Sequence, residues 1–169
     1  MTGVQTCALP ICYIEQAYKT VEERTGVRFG EAYLTNLLRP GTYLSNSTPP
    51  GQAMTLFKAT QVGATPSRQI AFAAALQNAL YHDGIDLNVW ENYGPLVAPF
   101  GLDPAEFVAH VDDEAIRQQT RQEFDLVAGW QIGGFPSVII EHNEKLSLVA
   151  RGYLPYEALL ANVNRAINP

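Results

Sequence analysis

Eight residues toward the C-terminal end carry the most chemical information: Gly133-Gly134-Phe135-Pro136-Ser137-Val138-Ile139-Ile140. Proline cannot donate to a β ladder, so a proline at the entry of an apolar strand needs a reason to be there. A cis Phe135–Pro136 bond supplies one. An X-Pro bond disfavours cis by only ~0.5–1 kcal/mol, and the resulting reversal leaves the backbone edge of Phe135 open to pair with an extended peptide. An ordinary edge-strand proline is the alternative. The thiols are less favourably spaced. Cys7 and Cys12 are separated by four residues that include Pro10, so their sulfurs do not share the first turn of one helix. No Cys-x-x-Cys occurs anywhere in the chain. His82, His110 and His142 are scattered, and we assign no metal site to them. Asp112-Asp113-Glu114 suits the dipole at a helix N-terminus better than it suits a carboxylate site. Trp90, Tyr93, Phe100 and Trp130 read as core aromatics, with the lining of an apolar groove as their functional alternative.

Helices and one hairpin must position these groups. Residues 13–26 carry Ile14, Ala17, Tyr18 and Val21 at helical spacing and close on Gly26. From Val27 to Pro50 the pattern breaks up, and Arg39-Pro40-Gly41 and Ser45-Asn46-Ser47-Thr48-Pro49-Pro50 supply turn chemistry, so we read a partly ordered connector. Five helical segments follow over 51–129. The first spans 51–62. The second starts at Thr65-Pro66 with Ile70, Ala73, Leu76 and Leu80 on one face and ends at Gly84. Leu87–Pro99 forms an aromatic-rich third. Asp103-Pro104-Ala105-Glu106 starts the fourth, and the fifth runs from Asp112 or Asp113 to about Gly129 with Ile116, Thr120, Phe124 and Val127 at core spacing.

The periodicity changes after Gly133-Gly134. Ser137–His142 is β-branched and apolar on both faces, as a buried strand would be, and Leu146–Arg151 alternates apolar with polar. Asn143-Glu144-Lys145 fits the turn between them. Gly152 breaks the second strand and Pro155 opens a last helix with Tyr156, Leu159, Leu160, Val163 and Ile167 along one stripe.

The chain has 169 residues, enough for one domain or a domain with an inserted subdomain; it is 47% apolar and 17% charged, which favours a globule over a disordered tail. A net charge of -6 offers no electrostatic footprint for nucleic acid or an anionic membrane surface. No apolar run approaches the roughly 20 residues of a transmembrane helix.

The anchors Thr25-Gly26, then Phe29-Gly30-Glu31-Ala32-Tyr33, then a helical insertion, then Gly134-Phe135-Pro136-Ser137 entering a hairpin, and a final helix resemble the DsbA-like thiol-disulfide oxidoreductases of the thioredoxin superfamily, particularly the FrnE-like branch. The likeness runs from about Tyr18 to Ile167. It implies an α/β fold: a thioredoxin-like fold, here incomplete because the leading β-α-β is missing, with an inserted all-helical lobe. It also implies a cis-proline loop at Phe135 and Pro136 that binds substrate, protein or peptide thiols and disulfides as partners, no cofactor, no metal, and a cytoplasmic site of action with export left open. Residues 1–11 resemble a translated sequencing-library adapter, so both cysteines are suspect and the native chain is expected to begin near Tyr13, its true start lost. We therefore divide the chain into 1–12, non-native; 13–50, helix and connector; 51–129, helical lobe; and 130–169, thioredoxin-like hairpin and helix. Catalytic cysteines are expected outside the chain, which leaves an inactive fragment. Two alternatives stay open: a redox-inactive peptide-binding module, and a 2-hydroxychromene-2-carboxylate isomerase or glutathione-transferase-kappa-like enzyme.

Overall fold

The computed structural model describes residues 11–168, and side chains from residue 17 onward. Cys7, most of the segment resembling an adapter, and the Cys12 side chain lie outside the described residues. Contacts divide the chain into two compact units, Met1–Arg121 and Gln122–Pro169.

In the first unit, α1 (Ile11–Thr25) ends on Gly26, whose φ of +73° and N–H bond to the Glu22 carbonyl (2.8 Å) form a left-handed cap. The stretch expected to be a connector is more ordered than its turn residues suggested. It contains α2 (Glu31–Tyr33) and a π-helical turn at Leu34–Leu38, closed by the Arg39 N–H on the Leu34 carbonyl at 2.9 Å. Tyr33, Leu34 and Leu38 are buried together at this turn. Phe29 sits within 5.6–5.7 Å of the Tyr18, Tyr33 and Tyr81 rings. Burial raises the phenol pKa values of Tyr33 and Tyr81, and that of Tyr43 is pushed up to about 12 by burial and then by nearby Asp86.

Helix α3 (Thr48–Ala59) starts earlier than expected. Pro49 and Pro50 are part of its first turn, where a missing N–H costs nothing. Helix α4 (Pro66–Tyr81) buries Phe72, Leu76 and Ala79. Of the expected stripe Leu76 is buried and Ala73 and Leu80 are half-buried, but Ile70 is 70% exposed, because so Ala-rich a helix is apolar on several sides. The aromatic-rich third segment is not one helix but three short turns, Trp90–Tyr93, α5 (Gly94–Val97) and Ala98–Phe100, with Pro95 and Pro99 each at the start of a new turn. Helix α6 (Pro104–His110) is capped by Asp103, whose carboxylate accepts the Glu106 N–H at 2.8 Å. The core of this unit centres on Phe57, Phe72, Leu76, Tyr93, Val97 and Val111. Phe57 and Phe72 stack at 4.3 Å, and Phe100 meets both edge-on.

Helix α7 (Glu114–Gly129) spans the division between the units. Of its expected core positions Thr120 is buried, whereas Phe124 is exposed. The second unit continues with strands β1 (Ser137–His142) and β2 (Lys145–Arg151), paired antiparallel, and α8 (Tyr156–Ile167). The register pairs His142 with Lys145, so the turn is the two residues Asn143 and Glu144, with φ of 51° and 61°, and Lys145 belongs to the strand. A bulge faces Val138, next to Val149 and Ala150, and both of those residues are buried in succession. The Val149 carbonyl accepts from Asn162 Nδ2 of α8 at 2.8 Å. Contrary to expectation, no residue of β1 is fully buried: among the described residues the sheet has two strands. On α8, Leu159, Val163 and Ile167 are half-buried while Tyr156 and Leu160 are exposed, which narrows the expected stripe.

Candidate functional site: the Phe135–Pro136 loop

Gly134, Pro136 and Gly152, all in the second unit, shape this loop. The Phe135–Pro136 peptide bond is cis. Immediately before it, the Gly134 carbonyl accepts from Ser137 Oγ at 2.7 Å, a local bond that closes the turn around the proline. Immediately after it, the Pro136 carbonyl accepts the Gly152 N–H at 2.7 Å and extends the hairpin by one bond beyond the Ser137–Arg151 pair. Gly152 has φ +80°, and with no Cβ it turns the chain away from β2 toward Pro155 and α8 without strain.

Phe135 lies at the apex. Its side chain is exposed, and no hydrogen bond is formed by its main-chain N–H or carbonyl among the described residues. An unpaired amide and carbonyl at the entry of a strand are what an added strand would engage. Sequence reasoning located Phe135 and Pro136 but did not foresee that Gly152 pins the loop. Gly152 was legible as a strand breaker, yet its partner follows only from the hairpin register.

The other candidate groups are dispersed. His82 Nδ1 contacts its neighbour Asp83 at 2.7 Å, His110 Nδ1 contacts Asp113 at 2.9 Å, and His142 Nε2 meets Asn143 at 3.1 Å. Among the described residues no group of three or more His, Cys, Asp or Glu side chains could hold a metal ion. The acidic run 112–114 opens α7 and is engaged structurally. Arg117 bonds to the Asp112 carbonyl at 2.6 Å and to Glu114 at 2.7 Å, and Gln52, almost fully buried, donates to Asp112 at 2.9 Å. The hydrogen bond from Arg117, with help from Gln118, lowers the Glu114 pKa. Tyr93 is core, its hydroxyl donating to the Leu87 carbonyl at 2.7 Å. Trp90 and Phe100 pack against the same core, and Trp130, of the second unit, is exposed. A hollow of about 180 Å³ in the first unit is lined by Leu56, Leu102, Glu106, Phe107 and His110 among others. It is smaller than the roughly 300 Å³ at which ligand pockets begin, and its Asp103 is occupied as a cap.

Comparison with solved structures defines the class of fold: a DsbA-like thioredoxin fold with a helical insertion. The chain is similar to a candidate protein disulfide isomerase from Nitrosomonas europaea, with a TM-score of 0.79 and 25% identity over 91% of this chain and 72% of that one. It is also similar to the cytosolic disulfide reductase DsbM from Pseudomonas aeruginosa, with a TM-score of 0.70 and 23% identity over 88% and 71% of the two chains. The same reductase in a structure with GSH gives a TM-score of 0.66, 21% identity and the same coverage. No protein-family model and no curated protein sequence matches the chain. Among the described residues no helix is long and apolar enough to cross a membrane.

Proposed function

We propose that this chain is part of a thiol-disulfide oxidoreductase or isomerase of the DsbA family, FrnE-like branch, whose Phe135–Pro136 loop holds an extended protein or peptide substrate. The observation that carries this reading is the likeness of fold to a candidate disulfide isomerase over 91% of the chain, joined to the unpaired main chain of Phe135. In the proposed reaction a thiolate at a helix N-terminus attacks a substrate disulfide and displaces one substrate thiolate. A second thiol then resolves the mixed disulfide: the substrate leaves as a dithiol and the protein's dithiol has become a disulfide. The loop's part is to hold the substrate backbone by strand-like hydrogen bonds, so that the attacked sulfur stays in place.

The reacting dithiol is proposed to lie outside this sequence, which has no Cys-x-x-Cys. We place the protein in the cytoplasm, the compartment named for DsbM. That same lack of a dithiol favours a second reading, a redox-inactive peptide-binding module of the same fold. The genomic sequence upstream of the Tyr13 codon separates the two. The first reading expects Cys-x-x-Cys following a predicted strand, the second no such pair. An unpaired Ser or Cys there would instead indicate the isomerase or glutathione-transferase-kappa-like chemistry. The 169-residue chain is expected not to reduce insulin disulfides; reduction that survives replacement of Cys7 and Cys12 by Ser would overturn the assigned mechanism.

A further inference from the structure

One edge of the hairpin and two of its charges lack partners among the described residues. The register fixes which main-chain groups lie on that edge. His142 and Lys145 flank a two-residue turn, a position at which opposite residues exchange both hydrogen bonds. Bonding alternates along a strand, so His142, Ile140 and Val138 point their amides and carbonyls at β2. The bond from the Gly152 N–H to the Pro136 carbonyl keeps the same phase. Ser137, Ile139 and Glu141 therefore point theirs outward, and among the described residues the sheet has no third strand to meet them.

The side chains of this edge share a face with exposed residues of β2. Ser137, Ile139 and Glu141 lie opposite Arg151, Leu148 and Leu146, and all three of the latter are exposed. Glu141 and Arg151 stand at the two ends of that face, and neither has an ion-pair partner among the described residues. Two strands are fewer than a sheet needs for independent stability, and a row of outward amides and carbonyls is a template for another strand.

We infer that this edge is completed by β1 of a second copy of the chain, running antiparallel about a two-fold axis at Ile139. Within β1 this register matches every outward residue with an outward residue: Ile139 with Ile139 of the second copy, and Ser137 with Glu141 in both directions. Sliding the strands by two residues either way loses one of these three pairs. Charge complementarity selects the same register. Across the resulting four-stranded sheet one row reads Arg151, Ser137, then Glu141 and Leu146 of the second copy, and the two-fold axis repeats it. Arg151 and Glu141 of the second copy are then two strand spacings apart, roughly 9–10 Å, a span that their side chains bridge over the small Ser137. Between the two charged rows lies an apolar one, made of Leu148 and Ile139 from each copy. Neither shifted register brings Arg151 and Glu141 into one row.

The test is analytical ultracentrifugation of the full chain and of charge-reversed variants at two exposed positions. The unaltered chain is expected to form a discrete dimer that high salt weakens. Glu141→Arg and Arg151→Glu each replace attraction by repulsion at both symmetric sites, and each should weaken dimerisation about tenfold or more. The double variant Glu141→Arg/Arg151→Glu restores opposite charges and should dimerise again. Hydrogen exchange should show the amides of Ser137, Ile139 and Glu141 protected at high concentration and open on dilution, while those of Val138 and Ile140, bonded within the hairpin, change little. A chain that stays monomeric, heterogeneous aggregates in place of a dimer, a dimer indifferent to the single reversals, or reversals that the double variant does not rescue overturns the inference. Each of these outcomes leaves the reading of the Phe135–Pro136 loop as a peptide site untouched, because that reading does not depend on the number of copies.

Discussion

The two units spend their apolar residues in opposite ways. In the first, Phe57, Phe72, Tyr93, Val97 and Val111 have no exposed surface. In the second, the buried residues are Val149 and Ala150, yet ten of the sixteen large exposed hydrophobic side chains among the described residues fall between Phe124 and Leu160. The cause is geometric. A helical cluster buries side chains from every direction, whereas a two-stranded hairpin with one helix can cover only one of its faces. The cross-strand pairs Ile139–Leu148 and Glu141–Leu146 share a face, and Leu146 and Leu148 are exposed on it. The second unit thus holds the candidate site on a scaffold with little core, while the first has the core and no comparable site. Such a hairpin is an aggregation hazard, and the isolated chain is expected to self-associate through it at high concentration.

The sharpest test of that contrast compares two phenylalanines. Phe72→Ala removes a ring that stacks on Phe57 and meets Phe100 and Phe107 edge-on. It should cost about 3–5 kcal/mol in urea denaturation. Phe135→Ala, on the exposed apex of the loop, should change stability by less than about 0.5 kcal/mol. Comparable losses for the two would mean that the loop ring is buried in solution and would remove the contrast.

A smaller effect separates polar burial from apolar burial within the first unit. Thr120 Oγ is 2.9 Å from Thr55 Oγ and 2.8 Å from the Ile116 carbonyl, with both threonines buried. Thr120→Val leaves the Thr55 hydroxyl without this partner and should cost about 1–3 kcal/mol. Adding Thr55→Val should recover part of that loss, since replacing both partners by apolar groups of the same shape is nearly neutral. A double variant as unstable as the sum of the two single variants would show that the hydroxyls are not coupled.

These residues also mark how far the sequence could be read. The hairpin was legible because Ser137–His142 and Leu146–Arg151 have strand composition on either side of a turn, and the loop because Phe135-Pro136 combines glycines, a proline and a following apolar run. The buried face of α4 was legible in part: Ala73, Leu76 and Leu80 are buried or half-buried as their spacing suggests, but Ile70 and Phe72 are equally apolar, and the stacking of Phe72 on Phe57 is a tertiary contact that no local pattern shows. Pro49 and Pro50 read equally well as loop or first helical turn. The bulge at Val149 and Ala150 breaks the alternation, and its partner Asn162 is thirteen residues away, beyond any local pattern. Tyr156 fits the helical stripe of α8 by spacing, yet as the first residue of that helix it is exposed.

Asn162 tests whether that bulge anchors α8. Its amide is the donor to the Val149 carbonyl, so Asn162→Ala should cost about 1 kcal/mol. Hydrogen exchange should locate the loss in β1, β2 and α8, with amides around Phe72 unchanged. Loosening that reached the first unit equally would mean the two do not unfold as distinct units.

The mildest perturbation should strengthen the weaker unit. Asn143 and Glu144 both have left-handed backbone conformations in the two-residue turn that joins β1 to β2. Asn tolerates that region, but for Glu it costs roughly 1 kcal/mol, whereas Asn-Gly is the pairing such turns prefer. Glu144→Gly relieves this cost and gives back part of it through the greater freedom of glycine in the unfolded chain. The expected net gain is about 0.5 kcal/mol, read as slower exchange of the hairpin amides, with the Phe57–Phe72 region unaffected. A loss in place of a gain would mean that Glu144 does not occupy the left-handed region in solution, and the hairpin register that brings Gly152 to Pro136 would have to be revised.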